Sequence, residues 1–142
     1  MLFKVRTAIS AAETAEELEQ DLLLQLQNQR QADLSFVFGS AVQIQRFSTL
    51  SSVIGLSKCW LGGSSCRGAL SDQAIDLYPD TLAVLQIFDA HGHYGVSVGA
   101  FGLTDTRALA AKVLQEALLA AGRPADKPTM VWCYQAPGQE EE

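Results

Sequence analysis

The chain has 142 residues, 48% of them hydrophobic and only 18% charged, with a net charge of −6 to which Glu140, Glu141 and Glu142 contribute half. That length suits one domain with a real core, and the absence of any Lys/Arg cluster argues against nucleic acid as a partner. No apolar run approaches the ~20 residues of a membrane span, and the opening MLFKVRTAIS is too short and polar for a signal peptide, so a cytoplasmic location is the expectation.

Residues 3–9 alternate apolar and polar well enough for a first strand. Residues 14–30 predict a helix. Thr14 with Glu17 fits a capping box, Glu16, Glu17 and Glu19 suit the positive end of the dipole and Arg30 the negative end, and Leu18, Leu22 and Leu26 form a buried stripe. The run at 34–38, closed by Gly39, reads as a buried strand. A second helix is expected within 43–55 and a short strand over 58–61.

That strand leads into Gly62, Gly63, Ser64, Ser65, Cys66, Arg67 and Gly68. Residues 77–80, with Pro79, form a connection. The run TLAVLQIFDA, 81–90, is a strand with cover on both faces. HGHYGVSVGAFG, 91–102, alternates with Tyr94, Val96, Val98 and Ala100 on one side. The short spacing between these two strands predicts an antiparallel hairpin. Asp105 caps a helix that runs to Ala121 and stops at Gly122, with Pro124 beyond and a buried stripe of Leu109, Val113, Ala117 and Ala121. TMVWCYQ, 129–135, is a last buried strand, with Trp132, like Trp60, expected in the core, or one of the two lining a pocket. Residues 136–142 form a tail or the start of a helix that a longer chain would complete. The order predicts a single α/β domain over 1–142, a mixed parallel and antiparallel sheet with helices packed on its faces.

The glycine–serine turn at 62–68 is the main chemistry candidate. Ligands gather at the carboxyl ends of strands in α/β sheets. Two glycines open the backbone, Ser64 and Ser65 add hydroxyls, successive N–H groups can form an anion nest, and Arg67 offers a fork for a carboxylate. The residues alone leave an ordinary turn open, since glycine and serine dominate turns. A nucleophile elbow lacks its second glycine; Cys66 with His91 or His93 could form the Cys–His pair of a thiol enzyme, though nothing in the sequence shows that they meet in space. His91 and His93 form an H-x-H pair without an evident third metal ligand; one of them as an axial haem ligand is the alternative to two solvated turn histidines. Cys59, Cys66 and Cys133 lack CxxC spacing and are expected to be reduced thiols.

ADLSFVFGS, CWLGGSSCRGAL, TLAVLQIFDAHGHYGVSVGAF and the alanine-rich helix together resemble the N-terminal half of a FIST domain, over nearly the whole chain. Gly62, Ser64 and Ser65 match that family's turn. Gly63 stands where it usually has cysteine, and Cys66, Arg67 and Gly68 replace its Ala-Gly-Glu. The resemblance implies a non-catalytic, bacterial sensory domain in signal transduction that binds amino acids or small carboxylates. The alternatives are a haem-based nitric oxide sensor and a structural or assembly protein with no ligand. The resemblance further implies a missing C-terminal region or a signalling partner protein, and a truncated sheet edge that favours homo-oligomers. The expected ligand site is Gly62, Gly63, Ser64, Ser65, Cys66 and Arg67.

Overall fold

The computed structural model describes residues 3–27, 29–65, 80–100 and 105–134. Thr14 accepts from the Glu17 N–H at 3.2 Å and starts α1 (Ala15–Leu26). Leu18, Leu22 and Leu26, four apart and so on one side of the helix, are each at most 1% exposed. Arg30 lies beyond the end of this helix and answers no dipole; it pairs with Asp33 instead.

Among the described residues, four strands form one mixed sheet: β1 (Phe3–Ser10), β2 (Leu34–Gly39), β3 (Trp60–Ser64) and β4 (Leu82–Asp89), in the order β1-β4-β2-β3. β4 runs antiparallel to both β1 and β2, while β2 and β3 are parallel. The fold is therefore the mixed α/β sheet expected. Ala8, Val37 and Val84 lie side by side on one face. They meet the α1 leucines, Phe47 of α2 (Ala41–Phe47) and Leu50 and Val53 of the short turn α3 (Ser51–Ile54) in one apolar core. Trp60 packs its ring 5.0 Å from Phe47 and donates its indole N–H to the Ile54 carbonyl. Gln43, fully buried, donates to the carbonyls of Ala12 and Asp80, both at 2.7 Å, and so ties the approach to α1 to the approach to β4.

The single helix expected within 43–55 is two. Ser48 and Thr49 turn their hydroxyls back onto the Gln45 and Arg46 carbonyls, each at 2.7 Å, which takes up acceptors at the end of α2. The third strand continues through Gly62 and Gly63 to Ser64 rather than ending at Leu61.

The hairpin does not form. Both edges of β4 are occupied, by β1 and β2, so no lateral position is left for the segment after it, and residues 93–100 have no ladder partners among the described residues. They lie instead along α4 (Thr106–Ala120), where Gly95 sits against the Ala117 carbonyl and Gly99 against Leu109 and Val113. Leu109, Val113, Ala117 and Ala121 thus share the expected face. They are only half-buried, because a single segment covers less than a sheet would. Asp105 caps α4, and Gly122, at φ 70, closes it.

The second face of the sheet carries Phe36, Phe38, Leu61, Ala83, Leu85 and Ile87, half-buried. Residues 130–134 lie over part of it: Trp132 packs edge-on to Phe36 at 5.5 Å, and Tyr134 packs on Phe38 at 5.9 Å. This segment is not the buried strand expected, and Trp132 is 57% exposed rather than core. Among the described residues, no helix is long and apolar enough to cross a membrane.

Candidate functional site

The two ends of the sheet present different chemistry. At the carboxyl ends of the parallel pair stand Gly62, Gly63, Ser64 and Ser65. Gly62 faces the backbone of β2, and a Cβ there would overlap the Val37 carbonyl oxygen. Gly63 seats the Tyr134 ring, whose Cζ would lie 2.7 Å from an added Cβ. The Tyr134 hydroxyl donates to the Ser64 carbonyl at 2.6 Å, and the Ser65 N–H donates to the Gly39 carbonyl at 2.6 Å. Both glycines thus have packing reasons to be glycine, and part of the backbone expected to meet a ligand is engaged within the fold. Cys66, Arg67 and Gly68 lie outside the described residues.

The opposite end was not read as a site from the sequence. Asp33, one residue before β2, is 6% exposed. Its Oδ1 accepts from Lys58 Nζ at 2.6 Å, and its Oδ2 accepts from Arg30 Nη2 at 2.8 Å and from the Asp89 N–H at 2.7 Å. Burial opposes its charge. The Lys58 hydrogen bond, the Asp89 amide and the charges of Lys58 and Arg30 outweigh that penalty and hold the carboxyl below its usual range. Two cations therefore share one buried anion, and both remain substantially in water, Lys58 at 62% and Arg30 at 49% side-chain exposure.

Beside them, Asp89 at the end of β4 accepts from the His91 N–H at 3.0 Å and from the Tyr94 hydroxyl at 2.9 Å. These bonds lower its carboxyl in turn, the His91 amide most. Tyr94 is pushed up to about 12, first by burial and then by Asp89. The Cys59 thiol contacts the Asp33 carbonyl at 3.2 Å. Burial raises its pKa, the Asp33 charge adds to this, and Lys58 offsets only part. Gly92 leaves room for the Asp89–Tyr94 contact, and Gly95 lets α4 close one wall. Asp33, Lys58, Cys59, Gly92, Tyr94 and Gly95 line the resulting cleft of about 400 Å³.

At neutral pH the Asp33 carboxylate, the Cys59 thiol and the Tyr94 phenol of this cleft, and the Asp89 carboxylate bonded to Tyr94, hold fixed protonation states. Fixed charges suit recognition; proton transfer needs a group poised near the working pH. A thiol with a raised pKa is also a weak nucleophile. Of the two histidines, His91 contributes its amide to Asp89, and His93 Nε2 meets Arg123 Nη2 at 2.7 Å on the exposed side. Cys59 and Cys133 are free thiols. Among the described residues no group of three His, Cys, Asp or Glu side chains converges as a metal site would.

The sequence signal for this end was slight. Asp33 interrupts ADLSFVFGS just before its apolar run, and Asp89 closes the apolar run of β4. Only the pairing of Leu34 with Ile87 brings the two acids together, and no local pattern encodes that register. Comparison with protein-family models, with curated proteins and with solved structures finds no match.

Proposed function

We propose that the chain is a sensory module that binds a small zwitterionic ligand, an amino acid or a close analogue, in the cleft between Lys58 and Tyr94. One observation carries the reading: half-exposed Lys58, which shares a single buried carboxylate with half-exposed Arg30, lines a small cleft together with Tyr94, whose hydroxyl is held by the Asp89 carboxylate. A ligand carboxylate would take the spare hydrogen-bonding capacity of Lys58 and Arg30, and its ammonium would face Asp89. The ligand class agrees with what the FIST resemblance implies; the site differs from the glycine–serine turn.

A calorimetric titration with the twenty amino acids and small carboxylates tests this. The ligand that binds should bind about tenfold or more weakly to Lys58→Ala and to Asp89→Asn, the usual worth of a charged hydrogen bond. Affinity lost in Arg67→Ala but kept in Lys58→Ala would return the site to the turn at Gly62. No binding by any member of the panel would refute the ligand class.

A further inference from the structure

Among the described strands β1 lies at one edge of the sheet, so one side of its backbone pairs with β4 and the other faces away from it. Ile9 shows which residues face outward. Its N–H donates to Gln25 Oε1 at 3.2 Å, and its carbonyl accepts from Gln25 Nε2 at 3.0 Å, so both groups point away from β4. In an antiparallel ladder that orientation recurs at every second residue. Phe3, Val5 and Thr7 therefore present their N–H and carbonyl groups outward too. The Gln25 amide gives Ile9 the two hydrogen bonds that another strand would give, and it ends the open stretch there.

The side chains around this stretch are sorted. Phe3 and Val5, 53% and 44% exposed, lie on one face. Lys4 and Arg6 lie on the other. Natural edges are commonly guarded by outward charges, but here both are drawn back onto the chain: Lys4 Nζ is 6.0 Å from the Phe88 ring, and the Arg6 guanidinium donates to the Gln27 carbonyl.

We infer that the β1 edge over residues 3–7 receives an extended peptide strand, with acidic residues beside Lys4 and Arg6 and apolar residues beside Phe3 and Val5. Main-chain hydrogen bonds would supply affinity and the alternating side chains selectivity. Charge favours such a partner over a second copy of this chain. An antiparallel β1–β1 pair centred on Val5 sets Lys4 opposite Arg6, and like charges directly opposite are destabilising. A pair centred on Thr7 needs Ile9, which Gln25 already holds.

The test is fluorescence anisotropy with a labelled peptide of alternating glutamate and valine, against the same peptide with lysine in place of glutamate. The glutamate peptide should bind about tenfold or more tightly, and the Lys4→Glu/Arg6→Glu double variant should reverse the preference. Val5→Pro removes an outward N–H, leaves the β4 ladder intact and is a substitution edge strands tolerate; it should weaken binding about tenfold. Equal binding of both peptides, binding of neither, or a preference unchanged by the double variant would overturn the proposal. So would self-association of the chain that Val5→Pro abolishes, which would give the edge to a second copy. Should Val5→Pro lose its circular dichroism signal, the charge reversal decides alone.

Discussion

Replacing Asp33 by asparagine isolates the charge at the centre of the cleft. The amide keeps the size of the carboxylate and one acceptor for the Asp89 N–H, now 2.7 Å away. Lys58 and Arg30 are 62% and 49% exposed, so each regains water when its partner goes, and each lost ion pair costs only ~0–1 kcal/mol. Weakening a charge-assisted bond to a neutral one adds about 1 kcal/mol. The expected loss is ~1–3 kcal/mol, and Asp33→Ala, which orphans the Asp89 amide, should cost about 2 kcal/mol more.

The assay is urea unfolding of wild type and variant, followed by fluorescence at a series of pH values. Because the folded-state pKa of Asp33 is lowered, its contribution is complete above the unfolded carboxyl value of ~3.9 and is lost as pH falls through the folded value. The gap between wild type and Asp33→Asn should hold at neutral pH and close only below pH ~4. An asparagine variant as stable as wild type at neutral pH would refute the reasoning. So would a gap that persists unchanged into the acid range.

Other outcomes follow from the same geometry. Gly62→Ala places a methyl on the Val37 carbonyl, a backbone atom that cannot swing aside, and should cost about 3 kcal/mol. Gly55→Ala has 3.4 Å to its nearest neighbour and a right-handed helical backbone, so it should stabilise by about 0.4–1 kcal/mol; equal effects of the two in denaturant melts would sink the strand-spacing argument. In a Cys66→Ser background, Ellman's reagent should modify exposed Cys133 about tenfold or more faster than half-buried Cys59, whose thiol is held protonated; equal rates would show that the Cys59 environment is misjudged. In an ultraviolet titration the Tyr94 phenol, at about 12, should fall partway towards the ordinary ~10 in Asp89→Asn, with burial keeping the remainder; no movement would mean that the Asp89 contact is not made in solution.

Elements whose signal is local were legible from the residues. The Thr14 cap, the leucine stripe of α1, the Gly39 stop, the Asp105 cap and Gly122 each act within a turn or two, and each appears where expected. Readings that depended on which strand lies beside which went astray. The alternation of 94–100 is real, yet β1 comes back from the far end of the chain to take the edge of β4 that a hairpin partner would need. The sequence also could not show that neighbours distant along the chain, Val37 and Tyr134, pack against the glycines at 62 and 63. Asp33 and Asp89 escaped notice for the same reason, since their juxtaposition is a matter of register alone.

The position of β4 also bears on how the sheet assembles. Two of the three ladders belong to β4, the last of the described strands to be made, with Phe3 opposite Asp89 and Leu34 opposite Ile87. A nascent chain that has emerged only as far as β3 can join β2 to β3 and dock α1 to α3, but β1 and β2 then flank a vacancy one strand wide. Contacts of such long sequence separation form slowly, because loop closure precedes any gain. During synthesis, unpaired backbone of β1 and β2 is therefore on offer until residues 82–89 arrive, and the chain is most exposed to mispairing and most reliant on chaperones in that interval.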